Sequence, residues 1–413
     1  MEDFVGKYKN QYNYLASNYQ FRFNICSSQY EYRKLLKGKV KKESNWHKYD
    51  DRVKNKIMLE MFEMDLDISQ EKFNLYVESE TVSKDYDPFL EYFEHLKRWD
   101  GKTDYIKQLS DTIGVVNTTK SKFQECLTKF LIGTVDCLLE EDSVNDVCLV
   151  FQSGQGIGKT RWMRKLLPEK FRSEYLYEGN IDTRNKDHVM YLSQYWFIHL
   201  DELEALKGNE ISATKSFITR QRISVRKAFG RYKSHFIRRA SFIGSVNDDK
   251  FLTDITGNRR WLVFTVNKIE YEHKVDVDGV WSQVYALWQK GVRYWFDSSE
   301  IKDINNMNEE FRAMSTEEEQ LLQLFDFPEQ SDKNGEWFSA TDAIVEVSKV
   351  KPILANKLVS NRMGKALSRH IKAKKIHNGV QKYYLKLKPV ENEQTLIEQT
   401  PNGVYKDEDD LPF

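Results

Sequence analysis

Residues 153–160 read SGQGIGKT, directly behind the β-prone run VCLVF and directly ahead of the helical segment RWMRKLL. A glycine loop between a strand and a helix is a phosphate-binding arrangement. Gly154, Gly156 and Gly158 let the backbone curl so that successive N–H groups face a triphosphate at the start of the helix, where side chains would obstruct the approach. Gln155 and Ile157 complete the loop, Lys159 would reach the β- and γ-phosphates, and the Thr160 hydroxyl would ligate Mg2+. The strict pattern asks for glycine at position 153, where this chain has Ser153. With GKT and its flanks intact, the loop is expected to bind ATP.

Hydrolysis would need two carboxylates at a neighbouring strand end, one for the metal and one for the attacking water. The apolar run from Trp196 to Leu200 ends in such a pair. Asp201 is expected to hold Mg2+ through water, and Glu202 to polarise the lytic water. His199, inside the run, reads as packed rather than catalytic. A third run, SFIGSV, ends at Asn247, whose amide would contact the γ-phosphate or the lytic water. Arg259 and Arg260 stand immediately before the run WLVFTV, and a guanidinium there is expected to reach the phosphate of a neighbouring subunit.

The charge is segregated. Lys+Arg and Asp+Glu both number 63, so no global field draws the chain to nucleic acid or membrane. Locally, Lys207 to Arg239 hold ten basic residues against one acid, Glu210, with Phe229, Tyr232 and Phe236 interleaved. Phosphate neutralisation with aromatic stacking grips single-stranded nucleic acid without reading sequence, and Lys227, Arg231 and Lys233 are the expected contacts. Residues 331–390 carry 13 bases against 4 acids, whereas 391–413 carry 7 acids against 1 base. The basic unit reads as helix, helix and two-stranded ribbon, a winged-helix-like order in which Ser339 or Thr341 caps the first helix. Lys365, Arg369 and Lys372, read along its second helix NRMGKALSRHI, are the expected phosphate or groove contacts on duplex DNA.

These residues must be carried by elements. The short apolar runs at 147, 195, 241 and 261, separated by longer segments, predict an α/β core with helices on both faces of a sheet. Within PFLEYFEHLKRWDG, Phe89, Tyr92, Phe93, Leu96 and Trp99 fall near helical spacing and predict an amphipathic helix stopped at Gly101. The expected division is a polar, aromatic cap (1–80), a helical region (81–140), a P-loop ATPase core (141–300), a linker or helical boundary (301–330), a basic winged-helix-like domain (331–390) and an acidic disordered tail (391–413). At 413 residues a single small module is excluded. Cys26, Cys126, Cys137 and Cys148 form no CxxC pair and read as core thiols. The N-terminus lacks an apolar leader and no stretch is long enough to span a bilayer, so a cytoplasmic protein without a membrane partner is expected.

In this order the motifs PFLEYFEHLKRWDG, QGIGKT, WFIHLDELE, RKAFGRY, SVND, TGNRRWLVF and VWSQVYALWQKG resemble the virulence-associated protein E family, whose ATPase core is similar to superfamily 3 helicases. The resemblance runs from about Asp87 to Trp295. It implies a replication-associated ATPase of phages, genomic islands or bacterial genomes that assembles as a homo-oligomeric ring on DNA. Many relatives carry an N-terminal primase domain; residues 1–80 are too short for one and lack its paired carboxylates. The terminal DEDDLPF is similar to the acidic tip of bacterial single-stranded-DNA-binding proteins, which implies that Leu411, Pro412 and Phe413 dock on host replication proteins. The leading expectation is a DNA-acting helicase or replication-initiation ATPase. The alternatives are a loader or remodelling switch that does not translocate, and a DNA-binding scaffold with a structural nucleotide site.

Overall fold

A computed structural model gives the arrangement of residues 8–35, 45–205, 208–225, 234–252, 258–332 and 334–389. The chain falls into two units, Met1–Arg312 and Ala313–Phe413. The first begins with α1 (Lys9–Asn18), β1 (Tyr19–Asn24), β2 (Gln29–Lys34), β3 (His47–Lys48), α2 (Asp51–Phe62), α3 (Gln70–Val77) and β4 (Lys84–Tyr86). The four strands lie in the order β3-β2-β1-β4. Leu15, Phe21, Ile57, Met61, Phe73 and Val77 form a small core of their own. Asp50 and Ser69 accept hydrogen bonds from the first turns of α2 and α3 and fix where they start.

Next come α4 (Pro88–His95), α5 (Tyr105–Asp111), β5 (Ile113–Val115) and α6 (Lys120–Leu139). Helix α4 is shorter than its apolar spacing predicts, because Leu96 is already extended (ψ 140°). The chain then turns around Asp100, whose carboxylate accepts from the N–H groups of Lys102 and Thr103 and from the Thr103 hydroxyl. Those three donors hold its carboxyl down to about 2. Trp99 therefore closes a loop, donating to the Thr103 carbonyl at 2.7 Å, and does not extend the helix.

The central sheet is built from β6 (Cys148–Gln152), β7 (Leu176–Glu178), β8 (Phe197–Leu200), β11 (Ser241–Val246) and β12 (Trp261–Ile269), with β5 antiparallel at one edge. Helices α7 (Lys159–Arg164), α8 (Glu169–Tyr175), α9 (Lys186–Gln194) and α10 (Gly208–Ile218) and the hairpin β9 (Ile223–Val225) and β10 (Ser234–Phe236) fall between them. Helices α11 (Val277–Gln289) and α12 (Ser298–Asn308) follow. The spatial order is β5-β12-β6-β11-β8-β7, and the last five are mutually parallel. Every residue of β6, β8 and β11 is buried, as expected of parallel strands covered on both faces. Alternation divides them. Leu149, Phe151, Phe197, Ile243, Leu262 and Phe264 enter one core with α4, α6 and α11, while Cys148, Val150, Ile198, Phe242 and Val263 enter the other with α10. Truncating any one large side chain there to alanine costs about 2–5 kcal/mol.

The basic stretch from 207 to 239 is divided by the fold, contrary to its reading as one nucleic-acid face. Lys215, Arg238 and Arg239 are buried. Arg239 pairs with Asp87 at 2.7 Å, Lys215 donates to Asn258 Oδ1 at 3.0 Å, and Arg238 Nη1 donates to Cys137 Sγ at 3.5 Å. Lys227, Arg231 and Lys233 lie outside the described residues, between the paired strands β9 and β10.

The second unit contains α13 (Thr316–Leu324), β13 (Phe325–Asp326), β14 (Glu336–Phe338), α14 (Ala340–Val350), α15 (Ser360–His370), β15 (Lys374–His377) and β16 (Val380–Leu387). Strand β16 pairs antiparallel with β13, β14 and β15. Ser339 caps α14 in a reciprocal box with Asp342. Asn378 (φ 50°) and Gly379 (φ 75°) make the two-residue hairpin turn that Asn-Gly favours. Leu321, Phe325, Val347, Met363, Leu367 and Leu385 form its core, so α13, within the segment read as a linker or helical boundary, is part of this unit. The acidic tail 391–413, with Leu411, Pro412 and Phe413, lies outside the described residues. Among the described residues no helix is long and apolar enough to cross a membrane.

Candidate active site

In an open parallel sheet the carboxyl ends of the strands form the natural binding edge, because the loops that leave them diverge and open a crevice. Here β6 delivers the glycine loop, β8 delivers Asp201 and Glu202, and β11 delivers Asn247. A cavity of about 370 Å3 lies where they meet, lined by Gln155 to Arg161, Asp201, Glu202, Ser245, Asn247 and Tyr271. The fold thus brings together Gln155, Gly156, Ile157, Gly158, Lys159, Thr160, Asp201, Glu202 and Asn247 from segments almost a hundred residues apart.

Two glycines are required by conformation: Gly156 has φ +90° and Gly158 φ +96°, where a side chain is strained. Gly158 has a further constraint, since a Cβ there would stand 2.2 Å from Tyr271 Cδ1. Gly154 adopts no such angle and adjoins the cavity without lining it. The serine at 153 also has a structural explanation. Its backbone N–H continues the sheet to the Val246 carbonyl (3.2 Å), and its hydroxyl accepts from Lys159 Nζ at 3.0 Å.

Lys159 is the most constrained side chain of the site. It is 7 % exposed, and its ammonium donates to the carbonyls of Ser153 (2.8 Å) and Gly154 (3.0 Å) and to Asn247 Oδ1 (3.0 Å). Burial lowers its pKa, opposed by the carboxylates of Glu204 and Asp201. Asn247 is oriented in turn by Glu204, whose Oε1 accepts from the Asn247 backbone N–H (3.1 Å) and from Nδ2 (3.0 Å). The amide oxygen is thereby aimed at the lysine. Asp201 accepts a hydrogen bond from the Ser245 hydroxyl. Glu202 is exposed and holds φ +53°, a left-handed conformation that costs a non-glycine residue about 1–2 kcal/mol.

Glu204, Ser245 and Tyr271 were not singled out from the sequence. The run DELE offers three acids, and only the short turn Leu203–Ala205 determines that the third faces Asn247. His199 is buried between Glu178 (Nδ1 to Oε1, 3.5 Å) and Ser245 (Nε2 to Oγ, 3.4 Å), behind Asp201 and outside the cavity lining. The His199 contact, with Arg164 at 2.7 Å, holds the Glu178 carboxyl down to about 2.

Arg259 and Arg260 are not brought into this cavity. They end a short turn before β12, and Trp261 stands beside Cys148, at the beginning of β6. The glycine loop begins five residues further along β6, roughly 17 Å at about 3.3 Å per residue. Arg259 is exposed and Arg260 half-buried.

In the second unit Lys365 and Lys372 are exposed, whereas Arg369 is committed inward. Its Nη1 lies 3.3 Å from a carboxylate oxygen of the buried Glu318, and His370 Nε2 lies 2.7 Å from the other. This corrects the reading of all three cations as one DNA-facing row, because a buried carboxylate needs a cationic partner.

The fold and the cleft define an α/β protein with a mostly parallel central sheet and a glycine-loop cavity at the carboxyl ends of its strands. The family follows from the sequence of that same unit. The virulence-associated protein E-like domain matches residues 93–313, more than half of the 413-residue chain, and the chain belongs to this family. No curated protein matches it significantly. Among solved structures it is similar to the apo structure of the NrS-1 C terminal region (305–718), with 12% identity, 92% of this chain and 98% of that one covered, and a TM-score of 0.44. It is also similar to the A form apo structure of the NrS-1 C terminal region, with 14% identity, coverages of 76% and 74%, and a TM-score of 0.38.

Proposed function

We propose that the first unit is a P-loop ATPase that hydrolyses ATP with Mg2+, and that the protein is a DNA-acting replication ATPase of the superfamily 3 helicase type. The observation that carries this reading is the convergence of Lys159, Thr160, Asp201, Glu202 and Asn247 on one cavity at the carboxyl ends of β6, β8 and β11. The strand order supports it, because β11 separates β6 from β8 and places Asn247 between the glycine loop and the acids.

Each residue then has a role fixed by its chemistry. Lys159, already desolvated, exchanges its carbonyl partners for phosphate oxygens and neutralises charge between the β- and γ-phosphates. Thr160 and Asp201 would hold Mg2+. Among the described residues no cluster of three His, Cys, Asp or Glu side chains forms a ready-made metal cage. A hydroxyl and one carboxylate beside a phosphate site suit a cation that keeps several waters and binds largely through the nucleotide. Glu202 polarises the attacking water, and Asn247, held by Glu204, orients that water or the γ-phosphate. Arg259 and Arg260, remote from their own cavity, act on that of an adjacent subunit in a ring.

For DNA, the reading assigns the basic segment between β9 and β10 in sequence, with Lys227, Arg231 and Lys233, to single strands. A winged-helix-like second unit, through Lys365 and Lys372, contacts duplex. The C-terminal Leu411, Pro412 and Phe413 recruit replication partners. The test is steady-state ATP turnover with and without single-stranded DNA for the native chain, Lys159→Ala and Glu202→Gln. The expected result is turnover that DNA stimulates, abolished in both variants, with nucleotide binding kept by Glu202→Gln. Unchanged turnover in both variants would overturn the assignment. Stimulated turnover without strand displacement would make the protein a loader rather than a helicase.

A further inference from the structure

The cavity has two sides, and the catalytic groups occupy only one. Asp201, Glu202, Ser245 and Asn247 lie at the carboxyl ends of β8 and β11, whereas Tyr271 follows β12, on the opposite flank of β6. A nucleotide whose terminal phosphate faces the acids therefore directs its nucleoside toward the β12 flank. There the Tyr271 ring packs against the loop backbone at Gly158. The exposed Arg161 guanidinium lies 5.1 Å from the centre of that ring. Tyr271 is half-buried and packed on the main core, so the ring is positioned before any ligand arrives.

We propose that Tyr271 and Arg161 hold the nucleobase of the bound nucleoside triphosphate by stacking, the ring on one face and the guanidinium plane on the other. A base between them needs about 7 Å, two contact separations of about 3.5 Å each. Arg161, on a long exposed side chain, supplies the extra distance, while Tyr271 stays fixed. Stacking uses the π-face that every base has, so it supplies affinity without reading hydrogen-bonding edges. The site is thus one for nucleoside triphosphates with little discrimination between bases, adenine and guanine included. The inference rests on the triphosphate reading of the glycine loop.

The experiment separates the two readings by ligand. Affinities of the full chain for Mg·ATP, Mg·GTP and inorganic tripolyphosphate are measured by calorimetry for the native protein, Tyr271→Ala, Tyr271→Phe, Arg161→Ala and Lys159→Ala. Tyr271→Ala is expected to weaken ATP and GTP about tenfold, within the range of one lost base stack, and to leave tripolyphosphate unchanged. Tyr271→Phe should retain native affinity, and Arg161→Ala should fall between. Native ATP affinity in Tyr271→Ala would overturn the stacking role, and so would equal weakening of ATP and tripolyphosphate, which would make the ring a prop for Gly158. A preference for ATP over GTP of a hundredfold or more would overturn it too, by requiring edge recognition. Tripolyphosphate binding that Lys159→Ala does not weaken would instead remove the phosphate reading itself, and the stacking proposal with it.

Discussion

Lys159 and Asn247 are held together by a third residue that touches neither phosphate nor metal in the proposed scheme. Glu204 accepts two hydrogen bonds from Asn247, and Asn247 accepts one from Lys159, so the carboxylate sets the position of the amide that would meet the γ-phosphate. Glu204→Ala leaves both Asn247 donors without this partner. The expected outcome is a drop in kcat of roughly ten- to a hundredfold, the kinetic equivalent of one charged hydrogen bond, with little change in ATP affinity. Single-turnover kinetics beside equilibrium nucleotide binding would check it; a matching loss of affinity would show that Glu204 supports the loop rather than the chemical step. Ser153 illustrates the reverse situation. It departs from the glycine pattern, yet its conformation needs no glycine, and its hydroxyl joins the lysine's hydrogen bonds.

Helix α15 has two faces with different work. Met363, Ala366 and Leu367 are buried in the second unit's core, and Arg369 and His370 serve the buried Glu318. Lys365 remains on the open face, with Lys372 just beyond the helix end. Separate consequences are expected. Lys365→Ala and Lys372→Ala should each lower the salt slope of DNA binding by about one per lost phosphate contact, at unchanged Tm. Arg369→Ala should instead lower thermal stability by about 1–3 kcal/mol, because it takes one of two partners from a buried carboxylate and leaves only His370 on it. Thermal unfolding and salt titrations on the full chain distinguish them. A Tm-neutral Arg369→Ala that reduces the salt slope would restore Arg369 to the DNA surface.

Across the whole molecule, the separation of Arg259 and Arg260 from their own cavity has a direct consequence for assembly. These arginines stand at the opposite end of the parallel strands from the glycine loop, so a role in hydrolysis requires a second copy. Mixing Arg260→Ala with Lys159→Ala protomers, each inactive alone, is expected to restore part of the turnover, because a mixed interface joins an intact loop to an intact arginine. Solution mass must show that mixed assemblies form. Absence of rescue in such assemblies would remove the trans role from Arg260, and the same mixture made with Arg259→Ala would test its neighbour.

The local chemistry was legible in the sequence because it is written contiguously. SGQGIGKT, the acids closing an apolar run, the Ser339 cap and the Asn-Gly turn each depend on neighbours within a few residues, and backbone preference decides their form. The buried strands were legible for a related reason: a strand covered on both faces has no polar side to interrupt its apolar run. What the tertiary structure decided was the partner of each charge. Lys215, Arg238, Arg239 and Arg369 look in sequence like any other cation of their basic runs, and only packing shows that the first three are buried and that the fourth pairs with the buried Glu318. The same holds for Glu204, third in an acidic run, and for Tyr271, one tyrosine among 22. Their positions follow from which strand neighbours β6 on either side, and strand order is set by packing between distant segments, a property that no short stretch of sequence contains.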